Sequence, residues 1–335
     1  MITLSKINGL NTEGTAMDIC TTTLAPHPAI LIQSMRCIGY TLETALADII
    51  DNSVTAEAKR ISVQFRWNDG KPWLAVLDDG CGMSEMELCE AMRFGGDSAP
   101  FDKRDTHDLG RFGLGLKTAS LSQCRRLTVV SKHSGRFSAL TWDVDYLAKA
   151  KSLEWNALVP ETGDLPLLDE LSQHNSGTLV LWQNLDALTF DGNRKATEAQ
   201  FNEMMVRASD HIALVFHRFL APDEPRRKAL KIDFNATPVK PFNPFGSAVP
   251  ARRELTAEII TVQGKKIGVQ PFVLPHYTKI SRTEYEKAGG EDGYRDNQGV
   301  YVYRNRRLIV KGTWFRLTPK TELTKLLRVR VDMAF

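Results

Sequence analysis

Four short clusters in this chain combine carboxylates, amides and glycines at spacings that suit a phosphorylated ligand. In Asp48-Ile-Ile-Asp-Asn52 the outer residues are four apart, so on a helix they project side by side, one turn from each other. A carboxylate beside an amide oxygen is what a water-activating base next to a Mg²⁺ ligand looks like, because Mg²⁺ takes oxygen donors and keeps waters. Asp51 is the other local carboxylate; it sits roughly 100° round the helix from Asn52 and is the poorer candidate. The second cluster, Asp78-Asp-Gly-Cys-Gly82, directly follows an apolar run. Gly80 and Gly82 let the backbone turn sharply against a flat ligand, and Asp78 can accept a hydrogen bond from an exocyclic amine. The third, Gly110-Arg-Phe-Gly113-Leu-Gly115-Leu-Lys117, runs into a helix start, where outward N–H groups favour phosphate and Lys117 adds charge. Its order is GxxGxG, with no strand immediately before it and no GK[ST], which disfavours a dinucleotide turn or a P-loop. The fourth is Gly177-Thr178, opening a strand. Taken singly, each has a plain alternative: a solvated helix face, a capped turn, a glycine triplet, a strand start.

The elements that must hold these clusters follow from periodicity. Leu42, Ala45, Leu46, Ile49 and Ile50 recur at i, i+3, i+4, i+7 and i+8, which predicts an amphipathic helix carrying Asp48 and Asn52. Residues 61–67 alternate with period two, turn at Asn68-Asp-Gly70 and return over 73–77; this hairpin delivers Asp78. A helix over 83–92, a polar glycine-rich stretch over 94–115 and a helix over 117–124 come next. A second hairpin (127–131 and 137–142), a strand at 177–182 and a long helix over 198–220 complete the first part. Upstream, about 20 small and polar residues read as a loose arm before a short helix at 29–38. Pro222, Pro225 and Arg226-Arg-Lys228 mark a boundary, with strands beyond it near 230–234, 266–272, 299–303 and 308–310. No βαβα alternation is present, so an α+β chain of two sandwiches is expected rather than a doubly wound sheet.

Composition sets the outer limits. With 335 residues, 42% apolar and 25% charged, the chain can bury a core and is neither disordered nor collagen-like. No apolar run approaches the roughly 18–20 residues of a membrane helix. The start lacks a signal-peptide layout. The five cysteines include no CxxC pair, which points to reduced thiols, a cytoplasmic location and no zinc knuckle. A net charge of +3, from 43 basic and 40 acidic residues, does not by itself argue for nucleic acid.

In order and spacing, D-x-x-x-N on a helix, DxGxG, GxxGxG and GT over residues 29–182 resemble the GHKL ATPases, the superfamily of gyrase B subunits, heat-shock chaperones, histidine kinases and MutL. The resemblance implies a GHKL-type two-layer α/β sandwich at 26–222, preceded by a flexible arm at 1–25. Residues 223–335 would follow as a ribosomal-protein-like α+β transducer domain. It further implies Asn52 as the Mg²⁺ ligand, Asp78 holding the adenine amine, and Thr178 completing that network. Gly80, Gly82 and Met83 would shape the adenine pocket, and Gly110, Gly113, Gly115 and Lys117 would lie against the phosphates. Residues 94–111 would form an ATP lid. The hydrolysing members place Glu where this chain has Asp48, so the base here is one methylene shorter and hydrolysis is less secure than binding.

The second half narrows the resemblance. Gly299-Val-Tyr-Val-Tyr-Arg-Asn-Arg-Arg-Leu-Ile309 is similar to the transducer stretch of MutL and MORC proteins, and with Met35–Tyr40 and Phe94-Gly95-Gly96 the chain resembles a bacterial MORC-like or Hsp-like ATPase. A histidine-kinase reading is disfavoured, since His27 lies in no dimerisation helix. No lysine stands in a loop matching the one from which such relatives reach the ATP site; Lys311 and Lys320 are the nearest candidates and neither fits that pattern. The chain stops inside a strand-like run, which leaves both truncation and natural shortening of the second domain open. Arg304–Arg307 is weighed evenly between a solvated strand end and a nucleic-acid contact. The implied function is a Mg²⁺-dependent, slowly hydrolysing ATP switch, forming a nucleotide-dependent homodimer around a DNA or protein client in bacterial defence or DNA maintenance, with no membrane. The alternative is a nucleotide-binding regulatory or scaffold module with negligible hydrolysis.

Overall fold

The computed structural model describes residues 4–10, 16–22, 24, 26–37, 39–95, 115–150, 154–161, 163, 165–186, 189–190, 194–246, 251–290 and 292–333. Gly110, Gly113 and most of the expected lid lie outside them. At the start, β1 (Leu4–Leu10) and β2 (Ala16–Thr22) pair as an antiparallel hairpin with Ile7 opposite Ile19. A loose arm was expected there; the small, polar composition concealed the strands.

After α1 (Pro28–Met35) comes α2 (Leu42–Thr55), the helix on which the site depends. A capping box starts α2: the Thr41 side chain accepts from the Thr44 N–H, and the Thr44 hydroxyl accepts from the Thr41 N–H. A cap of this kind contributes about 1 kcal/mol. Its apolar stripe, Leu42, Ala45, Leu46, Ile49 and Ile50, is buried, as its period requires. The hairpin of β3 (Arg60–Arg66) and β4 (Trp73–Asp78) forms as expected. Next are α3 (Glu85–Met92), α4 (Gly115–Gln123) and the second hairpin, β5 (Arg126–His133) with β6 (Arg136–Asp143). They are followed by α5 (Val144–Lys149), α6 (Leu168–Gln173), β7 (Gly177–Gln183) and the short pair β8 (Thr189–Phe190) and β9 (Arg194–Lys195). The helix expected over 198–220 is divided at Phe216 into α7 (Glu198–Val215) and α8 (His217–Leu220).

With β10 (Lys231–Phe234) and β11 (Thr237–Pro238), these strands build a seven-stranded sheet in the order β11-β10-β3-β4-β7-β5-β6. The pleat sorts its side chains. Leu74, Val76, Val129 and Val180 join the core under the helices, while Ala75, Leu77, Val130 and Leu179 pack with Leu171 of α6 on the other face, because side chains alternate along a strand. The expected boundary at 222/223 does not coincide with the sheet boundary. β10 runs parallel to β3, with Ile232 beside Ile61, so strands through Pro238 complete the first sheet. The proline-rich basic stretch before them is a largely exposed loop inside the first unit; composition marks exposure, which loops and linkers share.

A second sheet follows: β12 (Arg253–Glu254), β13 (Glu258–Val262), β14 (Lys265–Val273), β15 (Gly299–Arg304), β16 (Arg307–Thr313) and β17 (Leu327–Met333), ordered β12-β14-β17-β15-β16 with β13 on β14. The helices α9 (Arg282–Gly289) and α10 (Gly293–Asp296) lie between β14 and β15. Phe245, Phe272, Tyr301, Tyr303 and Leu308 form its core, and α7 contributes Leu214 to it. The two units are joined further where His217 hydrogen-bonds the Tyr303 hydroxyl at 2.8 Å. Burial pushes the His217 imidazole down to about 3, so it is neutral at ordinary pH. Arg218 pairs with Asp332 close by. Both sheets are mixed, with β3–β10 and β15–β17 parallel and the other pairings antiparallel, in keeping with the α+β expectation. Among the described residues no helix is long and apolar enough to cross a membrane, and Cys37, Cys81, Cys89 and Cys124 are free thiols.

Candidate functional site

The strand ends of the first sheet bring three polar side chains into one row. In register, Asp78 of β4 lies opposite Thr178 of β7, and Thr178 lies opposite Ser131 of β5. By the pleat all three share the helix-facing side with Val76, Val180 and Val129. Asp78 is only 4% exposed, yet every contact it makes suits a carboxylate. The Ser53 hydroxyl of α2 donates to Oδ2 at 2.8 Å, and the N–H groups of Gly80 and Thr178 donate to Oδ1 at 2.9 and 3.3 Å. Burial raises its pKa, and the three donors oppose that rise. The Ser131 hydroxyl accepts from the Met83 N–H at 2.7 Å and lies 3.3 Å from the Thr178 hydroxyl.

Glycines make this convergence possible. Gly82 has φ +67°, and a Cβ there would stand 2.1 Å from the Lys132 carbonyl oxygen, so no other residue fits where the loop crosses β5. A Cβ on Gly177 would meet the Asp78 carbonyl oxygen at the same separation. The glycine before Thr178 therefore sets the β4–β7 approach, beyond merely starting a strand. The Gly80 carbonyl accepts from the Ser176 hydroxyl at 2.7 Å, closing the loop onto β7.

Ser53 directly follows Asn52, so its bond to Asp78 ties α2 to the end of β4. Asp48 and Asn52 occupy the outer side of that helix. Asn52 is exposed and Asp48 half-buried. The Tyr40 hydroxyl donates to Asp48 Oδ2 at 2.8 Å; burial, then this bond, pushes the tyrosine up to about 12. Asp48 Oδ1 lies 3.6 Å from a terminal nitrogen of Arg307, on the second sheet. Asp51, the carboxylate set aside on helical geometry, is the closer partner of that arginine, with Nε to Oδ2 at 3.0 Å. Burial raises Asp51 to about 7 against the pull of Arg307.

Gly115 opens α4, two residues before the expected helix start. Lys117 is buried, and its ammonium donates to the Ala91 carbonyl at 2.7 Å and lies 5.9 Å from the Phe94 ring centre. A cation at the last turn of α3 complements that helix end, and burial lowers its pKa to about 8. At the lid's expected entry Phe94 packs against Trp142 and Trp155, each 5.3 Å away between ring centres. Lys311 pairs with Asp292 and Lys320 donates to the Asp296 carbonyl, so both lysines are engaged within the second unit.

Sequence reasoning missed Ser53, Ser131 and the role of Tyr40, and it weighed Arg307 only as a solvated strand end or a nucleic-acid contact, where the structure pairs it with Asp51. Ser131 left a faint trace, a polar residue closing the expected 127–131 strand. For the metal, the donor chemistry fits: an exposed amide oxygen one turn from a carboxylate suits a hard cation. Among the described residues no group of three or more His, Cys, Asp or Glu gathers, so Mg²⁺ here would complete its shell with water and phosphate oxygens.

A buried carboxylate at the sheet end, tied to a helix bearing an Asp/Asn pair and flanked by a glycine turn, fits a sandwich of the GHKL type. Comparison with known proteins agrees: residues 40–178 match the family described as Histidine kinase-, DNA gyrase B-, and HSP90-like ATPase, and this part of the chain is a domain of that family. Similar proteins include the ATPase morc-1 of Caenorhabditis elegans, 31% identical over 97 residues, which are 29% of this chain and 11% of that protein. The DNA mismatch repair protein MutL of a Thermoanaerobacter species is 32% identical over 89 residues, 26% of this chain and 14% of that protein. The chaperone protein HtpG of Treponema denticola is 26% identical over 197 residues, 56% of this chain and 29% of its own length. The matched segment thus spans less than a third of each relative.

Proposed function

We propose that the chain binds Mg²⁺ and ATP between α2, the ends of β4 and β7 and the start of α4, and hydrolyses the ATP slowly as a conformational switch. The observation that carries this reading is the Ser53–Asp78 bond, because it fixes the adenine-reading carboxylate relative to the helix that bears the base and the metal ligand. Asp78, with Gly80, Gly82, Met83 and Thr178 around it, receives the adenine amine. Asn52 holds Mg²⁺, which neutralises phosphate charge when bound. Asp48 takes the proton of the water that attacks the γ-phosphorus as ADP leaves. By the resemblance Gly110, Gly113 and Gly115 would lie against the phosphates, and Lys117 would join them only by leaving the Ala91 carbonyl to which it donates.

The likeness to MORC, MutL and HtpG proteins supports a switch that forms a nucleotide-dependent homodimer on a DNA or protein client, in a bacterial cytoplasm and a DNA-maintenance or defence setting. A second reading, nucleotide binding with negligible hydrolysis, is favoured by one feature: the short Asp48 carboxylate already has partners in Tyr40 and Arg307. Calorimetry with ATP, ADP and a non-hydrolysable analogue, with and without Mg²⁺, alongside phosphate release, tests both. Tight Mg²⁺-dependent binding with measurable release supports the switch. Binding without release supports the second reading, and no binding refutes both.

A further inference from the structure

The turn joining β15 to β16 is built to aim one arginine. Its two central residues, Asn305 and Arg306, both have positive φ, 47° and 71°, between the paired residues Arg304 and Arg307. Such a turn favours Asn-Gly, and an arginine held in the left-handed region is strained on the order of 1–3 kcal/mol. Contacts across the two units accompany that strain. The Arg306 guanidinium lies 4.3 Å from the Phe219 ring centre, and that of Arg307 lies 5.8 Å from Phe216. Arg307 then reaches α2, where its Nε meets both Asp51 oxygens at 3.0 and 3.3 Å. One terminal nitrogen is held by the Leu308 carbonyl at 2.8 Å, and the other faces Asp48 Oδ1 at 3.6 Å. The guanidinium is thus fixed on three sides, with its remaining edge toward Asp48. Arg304–Arg307 is accordingly neither a simple solvated strand end nor a free basic surface, since two of its arginines dock on the first unit.

We propose that Arg307 is a positioning residue for hydrolysis: anchored by Asp51, it works with Tyr40 to hold the Asp48 carboxylate, so that turnover depends on docking of the second sheet while nucleotide binding does not. This rests on the reading of Asp48 as the base. Tyr40 occupies Oδ2, and the 3.6 Å ion pair is too long to be a hydrogen bond. It orients Oδ1 by charge while leaving that oxygen able to accept from a water. Asp51 is the anchor because it is the buried member of the pair, 10% against 31% side-chain exposure.

The test uses the whole chain and the variants Arg307→Ala, Arg307→Lys and Asp51→Asn, with calorimetric affinity for a non-hydrolysable ATP analogue and steady-state phosphate release measured on each. Arg307→Ala should keep its affinity within about twofold and lose roughly 10- to 100-fold in kcat, the scale of a misplaced catalytic group. Added guanidinium ion should restore part of that loss. Arg307→Lys keeps an aliphatic stem beside Phe216 and should fall between, and Asp51→Asn should lower kcat without changing affinity. Wild-type turnover in Arg307→Ala or Arg307→Lys would overturn the proposal, as would parallel losses of affinity and turnover with no guanidinium rescue. A wild-type chain that binds the analogue but releases no phosphate overturns it too, while leaving the nucleotide site standing. Absence of binding in the wild-type chain instead removes the site reading itself.

Discussion

Replacing Asp78 by Asn separates reading of the base from holding the fold. In the native chain Oδ1 accepts from the Gly80 and Thr178 N–H groups, and Oδ2 accepts from the Ser53 hydroxyl. An Asn can keep its oxygen toward the two backbone donors, and the Ser53 hydroxyl can rotate to accept from the new NH₂. All three contacts survive, but they become neutral, each weaker by about 1 kcal/mol. Against that, the substitution no longer buries a charge whose pKa burial already raises, so the net change in stability is expected to be small. The ligand has no such compensation, because its exocyclic amine would meet an N–H where it needs an acceptor. Loss of a charged hydrogen bond costs about 1.5–3 kcal/mol, or roughly 10- to 100-fold in affinity.

Titrating ADP by calorimetry reads this without interference from turnover, and a thermal melt checks the fold. Inosine triphosphate, which lacks the amine, adds a second reading: the wild-type preference for ATP over it should shrink in Asp78→Asn. Asp78→Ala is the contrast. It leaves the buried Gly80 and Thr178 N–H groups bare at about 1–3 kcal/mol each, and should melt far lower. If Asp78→Asn folds and binds ADP with unchanged affinity, the carboxylate does not read the base and the assignment is wrong.

Asp48→Ala should leave Mg²⁺·ATP binding nearly intact and lower turnover by roughly 10²- to 10⁴-fold, the usual worth of a positioned base; equal phosphate release would rule Asp48 out. Asn52→Ala should instead weaken binding, and only when Mg²⁺ is present, as calorimetry with and without the ion will tell. The Asp51 carboxyl rises from 3.8 to about 7 on folding, so the folded state binds its proton more tightly. Its contribution is fully present below about pH 4 and is lost as pH climbs through 7; urea midpoints across that window should fall, and Asp51→Asn should flatten the fall. Gly82→Ala places a methyl against the Lys132 carbonyl oxygen at a positive φ, and should lower the melting temperature by several degrees while Gly70→Ala, with nothing within 4 Å of its Cβ, suffers mainly from its own positive φ.

Local rules wrote much of this molecule into its sequence. The helix bearing Asp48 and Asn52, both hairpins, and the glycine turn after Asp78 depend on spacings of a few residues, and each stands where periodicity put it. The order of four motifs carried the family for the same reason, since each motif is a short local pattern of residue types. What the sequence withheld was contact across long separations. The edge strands 231–238 join the first sheet by parallel pairing with β3, which no local signal encodes, so the boundary was expected too early. Ser53 and Ser131 look like ordinary serines until α2 packs over β4 and the strands β4, β7 and β5 come into register. Asp51 was set aside because a helical wheel sees only one helix. Its partner, Arg307, is 256 residues away, and only the docking of the second sheet against α2 and α7 turns a buried carboxylate and a strained arginine turn into one ion pair beside Asp48.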